Sequence, residues 1–131
     1  MKITTNWTVN LRTEEAEEKI TEAIRLGLRD TIVSIHEDTV RGSPWLTGNN
    51  ARSIASEVSG MGVVKQEPGA QPEQVVDDLA LEAACYSTSG YGGFLETGTV
   101  KMNARPYFRP AFDMHKDELA PNIQKHLESE T

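Results

Sequence analysis

A stripe of apolar residues at helical spacing, Ala16, Ile20, Ala23, Ile24, Leu28, Ile32 and Ile35, fixes the largest element this chain can form. Glu18, Glu22, Arg25 and Arg29 occupy the opposite side, so the helix is amphipathic and needs a second layer to cover its stripe. Thr13 is placed to cap it, with Glu14 and Glu15 where the positive end of the helix dipole favours them. Glu15 and Lys19 stand in the favourable i,i+4 order, worth ~0.3 kcal/mol on an exposed surface. The end is expected near Arg41–Gly42, because Pro44 disfavours helical geometry at Ser43. Gly27 costs the helix roughly 1 kcal/mol relative to alanine, which predicts close approach of another backbone there.

The second layer reads as a sheet. Ile3, Thr5, Trp7, Val9 and Leu11 alternate with polar residues and predict an N-terminal strand. Ile54 to Val58 reads as a strand ending at Ser59-Gly60, and Leu79, Leu81, Ala83 and Cys85 as a buried one. Between them, residues 63–78 include Pro68, Gly69 and Pro72 and predict a flexible loop. Thr47-Gly48-Asn49-Asn50 is turn chemistry, with Thr47 a cap for a short helical turn. Pro110 suits the first position of a last helix through Ala111, His115, Leu119, Ile123 and Leu127, and Pro121 predicts a kink or break in it. The expected fold class is α+β: an N-terminal strand and a long amphipathic helix packed on a small, mainly antiparallel sheet, closed by a C-terminal helix. At 131 residues this is one domain, 1–131.

Charge narrows the partners. Twenty acidic against thirteen basic side chains give a net charge of −7, with no basic run, which argues against duplex DNA as a tight ligand. No apolar run approaches the ~18 residues of a membrane span, and no basic-then-apolar leader opens the sequence. The single cysteine, Cys85, has no internal disulfide partner and fits a reducing cytoplasm.

Chemistry-bearing patterns are sparse. His36, His115 and His126 are spread over two predicted helices without metal-ligand spacing and read as surface or partly buried side chains. Cys85 falls on an apolar strand face and reads as a small hydrophobe. Gly90-Tyr91-Gly92-Gly93 lacks the Gly-Lys-Ser/Thr of a phosphate loop, and no serine sits on a Gly-x-Ser-x-Gly elbow. Arg105 and Arg109 are expected to pair with a carboxylate such as Glu96, or to touch a neighbouring subunit. Catalytic, cofactor and metal residues are therefore expected to be absent.

Two segments carry a family resemblance. Pro44-Trp45-Leu46-Thr47-Gly48-Asn49-Asn50-Ala51-Arg52-Ser53-Ile54 resembles a Pro-x-x-Thr-Gly-Asn-Leu-x-x-Ser-Ile signature of small tail-completion and head–tail joining proteins of long-tailed bacteriophages. Phe94-Leu95-Glu96-Thr97-Gly98-Thr99-Val100-Lys101-Met102-Asn103-Ala104-Arg105-Pro106-Tyr107-Phe108-Arg109-Pro110-Ala111-Phe112 resembles their second, more specific signature. Asn50 stands where the family usually has leucine, Thr97 where a bulkier residue is common, and Gly92-Gly93 where a small-aromatic pair precedes the glutamate.

The resemblance implies a structural virion protein at the neck or tail top, present in the host cytoplasm during assembly. Its partners would be further copies of itself in a ring, together with connector or neck proteins and tail-tube or tail-terminator proteins. DNA would pass nearby without being tightly bound, which suits an acidic surface. No membrane and no cofactor are implied. The residues assigned to the assembly motif are Thr47, Gly48, Glu96, Gly98, Thr99, Met102, Arg105, Pro106, Phe108, Arg109 and Pro110. Alternatives are a prophage-derived interaction module without a virion role, a small hydrolase using carboxylates, and a DNA-binding protein, which the charge disfavours.

Overall fold

The structure, a computed structural model, describes residues 2–4, 14–43, 51–88 and 107–129. In chain order these are β1 (Lys2–Thr4), α1 (Glu14–Gly42), a 3-10 turn (Ala51–Ser53), β2 (Ile54–Val58), β3 (Gly62–Gln66), β4 (Glu82–Ser87), α2 (Phe108–His115), a second 3-10 turn (Lys116–Glu118) and α3 (Leu119–Ser129). The strands form one sheet in the order β1-β4-β2-β3, and every neighbouring pair is antiparallel. The long helix lies on this small sheet, and the two C-terminal helices pack against the long helix. The fold is α+β.

The stripe of α1 is the centre of the core. Ile24, Leu28, Ile32 and Ile35 are buried against Ile54 and Val58 of β2 and Ala83 and Cys85 of β4. Removing each of these aliphatic side chains from water contributes about 1.5–3 kcal/mol before the entropy of ordering them. Phe108, Ala111 and Ile123 from the C-terminal helices join the same cluster. Gly27 lies directly beneath α3: a Cβ added there would stand 2.9 Å from the backbone nitrogen of Ile123. This is the close backbone approach that a glycine in the middle of a helix predicts.

Several expected boundaries move. Of the N-terminal strand expected through residue 11, Lys2–Thr4 are described and pair with β4; the remainder lies outside the described residues. Thr13 as a cap and the turn at Thr47–Asn50 also lie outside them. Residues 63–66, expected in a loop, are strand. Gly60 and Gly62 both adopt positive φ, and the Met61 amide donates to the Val58 carbonyl, so a tight turn returns the chain onto β2. A register shift between Ser56 and Glu57 marks a bulge in that pair.

β4 begins at Glu82 rather than at Leu79. Asp77 accepts hydrogen bonds from the Leu79 amide on its side chain and from the Ala80 amide on its carbonyl, which folds 77–80 into a turn. Pro110 occupies the third position of α2, not the first. The break expected at Pro121 falls earlier, at Lys116–Glu118. A proline ring clashes with the carbonyl four residues back, here Asp117, so the disturbance appears one turn ahead and Pro121 itself sits in the first turn of α3. Among the described residues no helix is long and apolar enough to cross a membrane.

Candidate functional site: the assembly motif and the buried polar clusters

Of the motif residues, Phe108, Arg109 and Pro110 are described, at the start of α2. Phe108 is buried, its ring 4.6 Å from that of Tyr107 at a 39° tilt, and both belong to the core under α1. Arg109 points outward with 74% of its side chain exposed and pairs with Asp113 one turn on, at 3.3 Å. Pro110 is exposed and lines a groove of about 410 Å³ with Asp38, Arg41, Gly42, Tyr107, Ala111 and Met114. Thr47, Gly48, Glu96, Gly98, Thr99, Met102, Arg105 and Pro106 lie outside the described residues, and with them the expected pairing of Glu96 with Arg105 or Arg109.

Three polar clusters escaped the sequence reading. The first runs through the core. His36, expected at or near the surface, is completely buried on the stripe of α1. Its Nδ1 lies 2.7 Å from Ser56 Oγ on β2, and its Nε2 lies 2.9 Å from Glu67 Oε2. Burial lowers the His36 pKa from its usual value, and the Glu67 carboxylate only partly offsets that. A serine, a histidine and a glutamate in a row are the components of a nucleophilic triad. Ser56 is fully buried, however, so its hydroxyl meets no substrate in this arrangement. Beside it, burial pushes the Cys85 thiol up to about 11, which keeps it protonated and inert near neutrality. A signal for this cluster exists in the sequence: Thr31, His36 and Thr39 are polar residues that fall among the apolar stripe, and all three are buried.

The second cluster holds the segment between β3 and β4 across the other face of the sheet. Glu57 is buried there, and three donors converge on its Oε2: the Gln74 amide at 3.1 Å, the Val75 amide at 3.4 Å and the Tyr86 hydroxyl. The Tyr86 oxygen in turn accepts from the Glu73 amide at 2.9 Å. Burial and the adjacent Glu57 carboxylate raise the Tyr86 pKa to about 12, so the phenol remains a donor. Gln74 takes a φ of 57°, an uncommon conformation for a residue with a side chain, and presents its amide to Glu57. Val76 is the buried apolar anchor of this strap.

Because the strap is held mainly by polar contacts, it is expected to open without global unfolding. Tyr86→Phe should speed hydrogen exchange at amides 73–75 about thirtyfold, since it removes two hydrogen bonds, to Glu57 and from the Glu73 amide, each worth roughly 1 kcal/mol. Exchange in β2 and β4 should stay nearly unchanged. A uniform acceleration across strap and sheet would show that the strap opens only with the whole fold.

The third cluster pins the C-terminal helices to α1. Asp30 receives His126 at 2.7 Å, Lys125 at 3.3 Å and Arg29 at 3.0 Å. Burial pushes the Asp30 carboxyl up, but the hydrogen bonds from His126, Arg29 and Lys125 outweigh it and leave the pKa below the ordinary aspartate value. His115 places one ring nitrogen on Asp38 and the other 2.6 Å from Glu118. Thr31 donates to the Gly27 carbonyl at 2.9 Å and accepts from Asn122 at 3.0 Å. The Asp30 and Thr31 contacts flank the point where Gly27 admits α3.

Among the described residues no group of three or more His, Cys, Asp or Glu side chains is placed to hold a metal ion. No family model, no curated protein and no solved structure matches the chain.

Proposed function

We propose that this chain is a non-enzymatic structural protein of a tailed bacteriophage, acting at the head–tail junction or tail top through ring-forming contacts. The observation that carries the reading is the motif running from Phe94 to Phe112 in the sequence, joined by the shorter segment from Pro44 to Ile54. The described end of the longer motif adds a physical argument. Tyr107, Phe108 and Ala111 are buried, while Arg109 and Pro110 face outward from the same turn of helix. One short segment thus both fixes α2 to the core and presents a surface, as an assembly motif must. The reading includes an N-terminal strand continuing to residue 11 ahead of an amphipathic α1. Its neighbours would be connector or neck and tail-tube or tail-terminator proteins, with DNA passing an acidic surface that repels phosphate.

Arg109→Glu tests the motif as an interface. The side chain is largely exposed, so the variant should keep the parent's circular dichroism and melting temperature while losing higher-order mass in sedimentation. Unchanged assembly in a folded Arg109→Glu protein would remove the arginine from the interface.

A further inference from the structure

Five large apolar side chains are exposed among the described residues, and four of them, Met61, Val63, Val75 and Leu79, belong to one end of the sheet. The turn between β2 and β3 and the turn at 77–80 lie side by side there. The Ser59 amide donates to the Glu82 carbonyl at 2.9 Å, and the Gly60 amide to Asp78 Oδ1 at 2.9 Å. Arg25 reaches across from α1 to the Asp78 carbonyl at 3.4 Å. Leu79 is 96% exposed, and it is held outward because its own amide is tied to the Asp77 side chain. One exposed leucine is ordinary; two adjoining braced turns carrying Met61 and Leu79 form an apolar patch, with Val63 of β3 and Val75 of the strap beside Glu57.

Beside this patch runs a groove of about 640 Å³, lined by Glu17, Glu18, Thr21, Glu22 and Arg25 of α1 and by Gly60 and Met61 of the turn. Arg25 is engaged with the turn, so the groove presents three glutamates beside a methionine. We propose that this end of the sheet docks a basic partner segment with an apolar anchor: a leucine-like side chain seated on Met61 and Leu79, flanked by lysine or arginine facing the α1 glutamates. A second copy meeting this end of the sheet through its own identical patch is the disfavoured occupant, since Glu17, Glu18 and Glu22 would face their own counterparts across the two-fold axis. The surface uses no residue of the two motif segments, so its test is independent of the virion reading.

The test uses the full chain and a labelled peptide of two leucines between lysine triplets, with an all-lysine peptide of equal charge as control. The leucine peptide should bind about tenfold more tightly than the control, the scale of burying one large apolar side chain. Leu79→Ser combined with Met61→Ser should remove that difference, and Glu18→Gln with Glu22→Gln should flatten the salt dependence. All of these positions are exposed, so an unchanged melting curve verifies that each variant folds. Equal binding of the two peptides, or undiminished leucine preference in the Leu79/Met61 variant, would overturn the proposal. So would a dimer of the unmodified chain that Leu79→Ser dissolves, which would make a second copy the occupant.

Discussion

Gly27→Ala should lower the unfolding free energy by about 2 kcal/mol, even though alanine is the better helix former by roughly 1 kcal/mol. The added methyl meets the Ile123 backbone nitrogen at 2.9 Å and its Cα at 3.0 Å. Backbone cannot rotate away as a side chain can, so α3 has to shift, and overpacking of this kind costs about 1–3 kcal/mol or more. The shift also disturbs Asn122 on Thr31 and His126 on Asp30, which bracket the contact. A fall in melting temperature on the order of 5–10 °C is the expected readout for a chain of this size. Ile123→Ala alone should cost about 2–4 kcal/mol, while the double variant should cost less than the sum, because part of the clash leaves with the isoleucine. A higher melting temperature for Gly27→Ala would mean that the two helices do not meet at this glycine.

His36→Leu should be comparably severe, at about 3 kcal/mol near pH 7. It removes two hydrogen bonds, one of them to a carboxylate, and leaves the buried Ser56 hydroxyl with only the Cys85 thiol as a side-chain hydrogen-bond neighbour among the described residues. The same histidine sets a pH dependence. Its folded pKa lies below the usual 6.5 because burial disfavours the charged ring. Above that value neither the folded nor the unfolded chain is protonated at this site, and its contribution is complete. As pH falls through 6.5 the unfolded chain takes up the proton first, so stability declines toward the lower folded pKa. Asp30 acts in a separate window, because its pKa is held below 3.8 in the folded chain and its contribution is lost only as pH falls from there. Urea denaturation at pH 7 and pH 5 should therefore show a loss in the parent that is smaller in His36→Leu. Equal losses in both would mean that His36 resists protonation no more in the fold than in the unfolded chain.

Legibility in the sequence followed the range of the interactions involved. α1 ends at Gly42 beside Pro44, and β2 spans Ile54–Val58, both as local pattern and turn chemistry predict. The glycine at 27 announced a close contact because an isolated glycine in a strong helical pattern has little other use. β3 was hidden because Gly62-Val63-Val64-Lys65-Gln66 is short, and its pairing depends on two glycines turning the chain sharply. Leu79 misled through alternation: the Asp77 side chain captures its amide and takes it out of the strand, a local bond that outcompetes the ladder.

The polar clusters show the same limit. Thr31, His36 and Thr39 interrupt the stripe, a signal that the reading of His36 as surface or partly buried passed over, and Ser56 and Glu67 become partners of His36 only through the packing of α1 on the sheet. Glu57 offered no such hint, since a lone glutamate in a strand normally faces solvent. Its burial depends on the strap that covers it. For the assembly motif, sequence order and spacing remain the main support, and the described portion contributes the contrast between buried Phe108 and exposed Arg109.

The most direct test of the proposed assembly role is the particle mass of the purified chain, alone and mixed with connector and tail-tube proteins of tailed phages. A closed ring, or a complex of fixed stoichiometry formed on mixing, is the expected result. A monomer that stays monomeric with every neck and tail partner would contradict it.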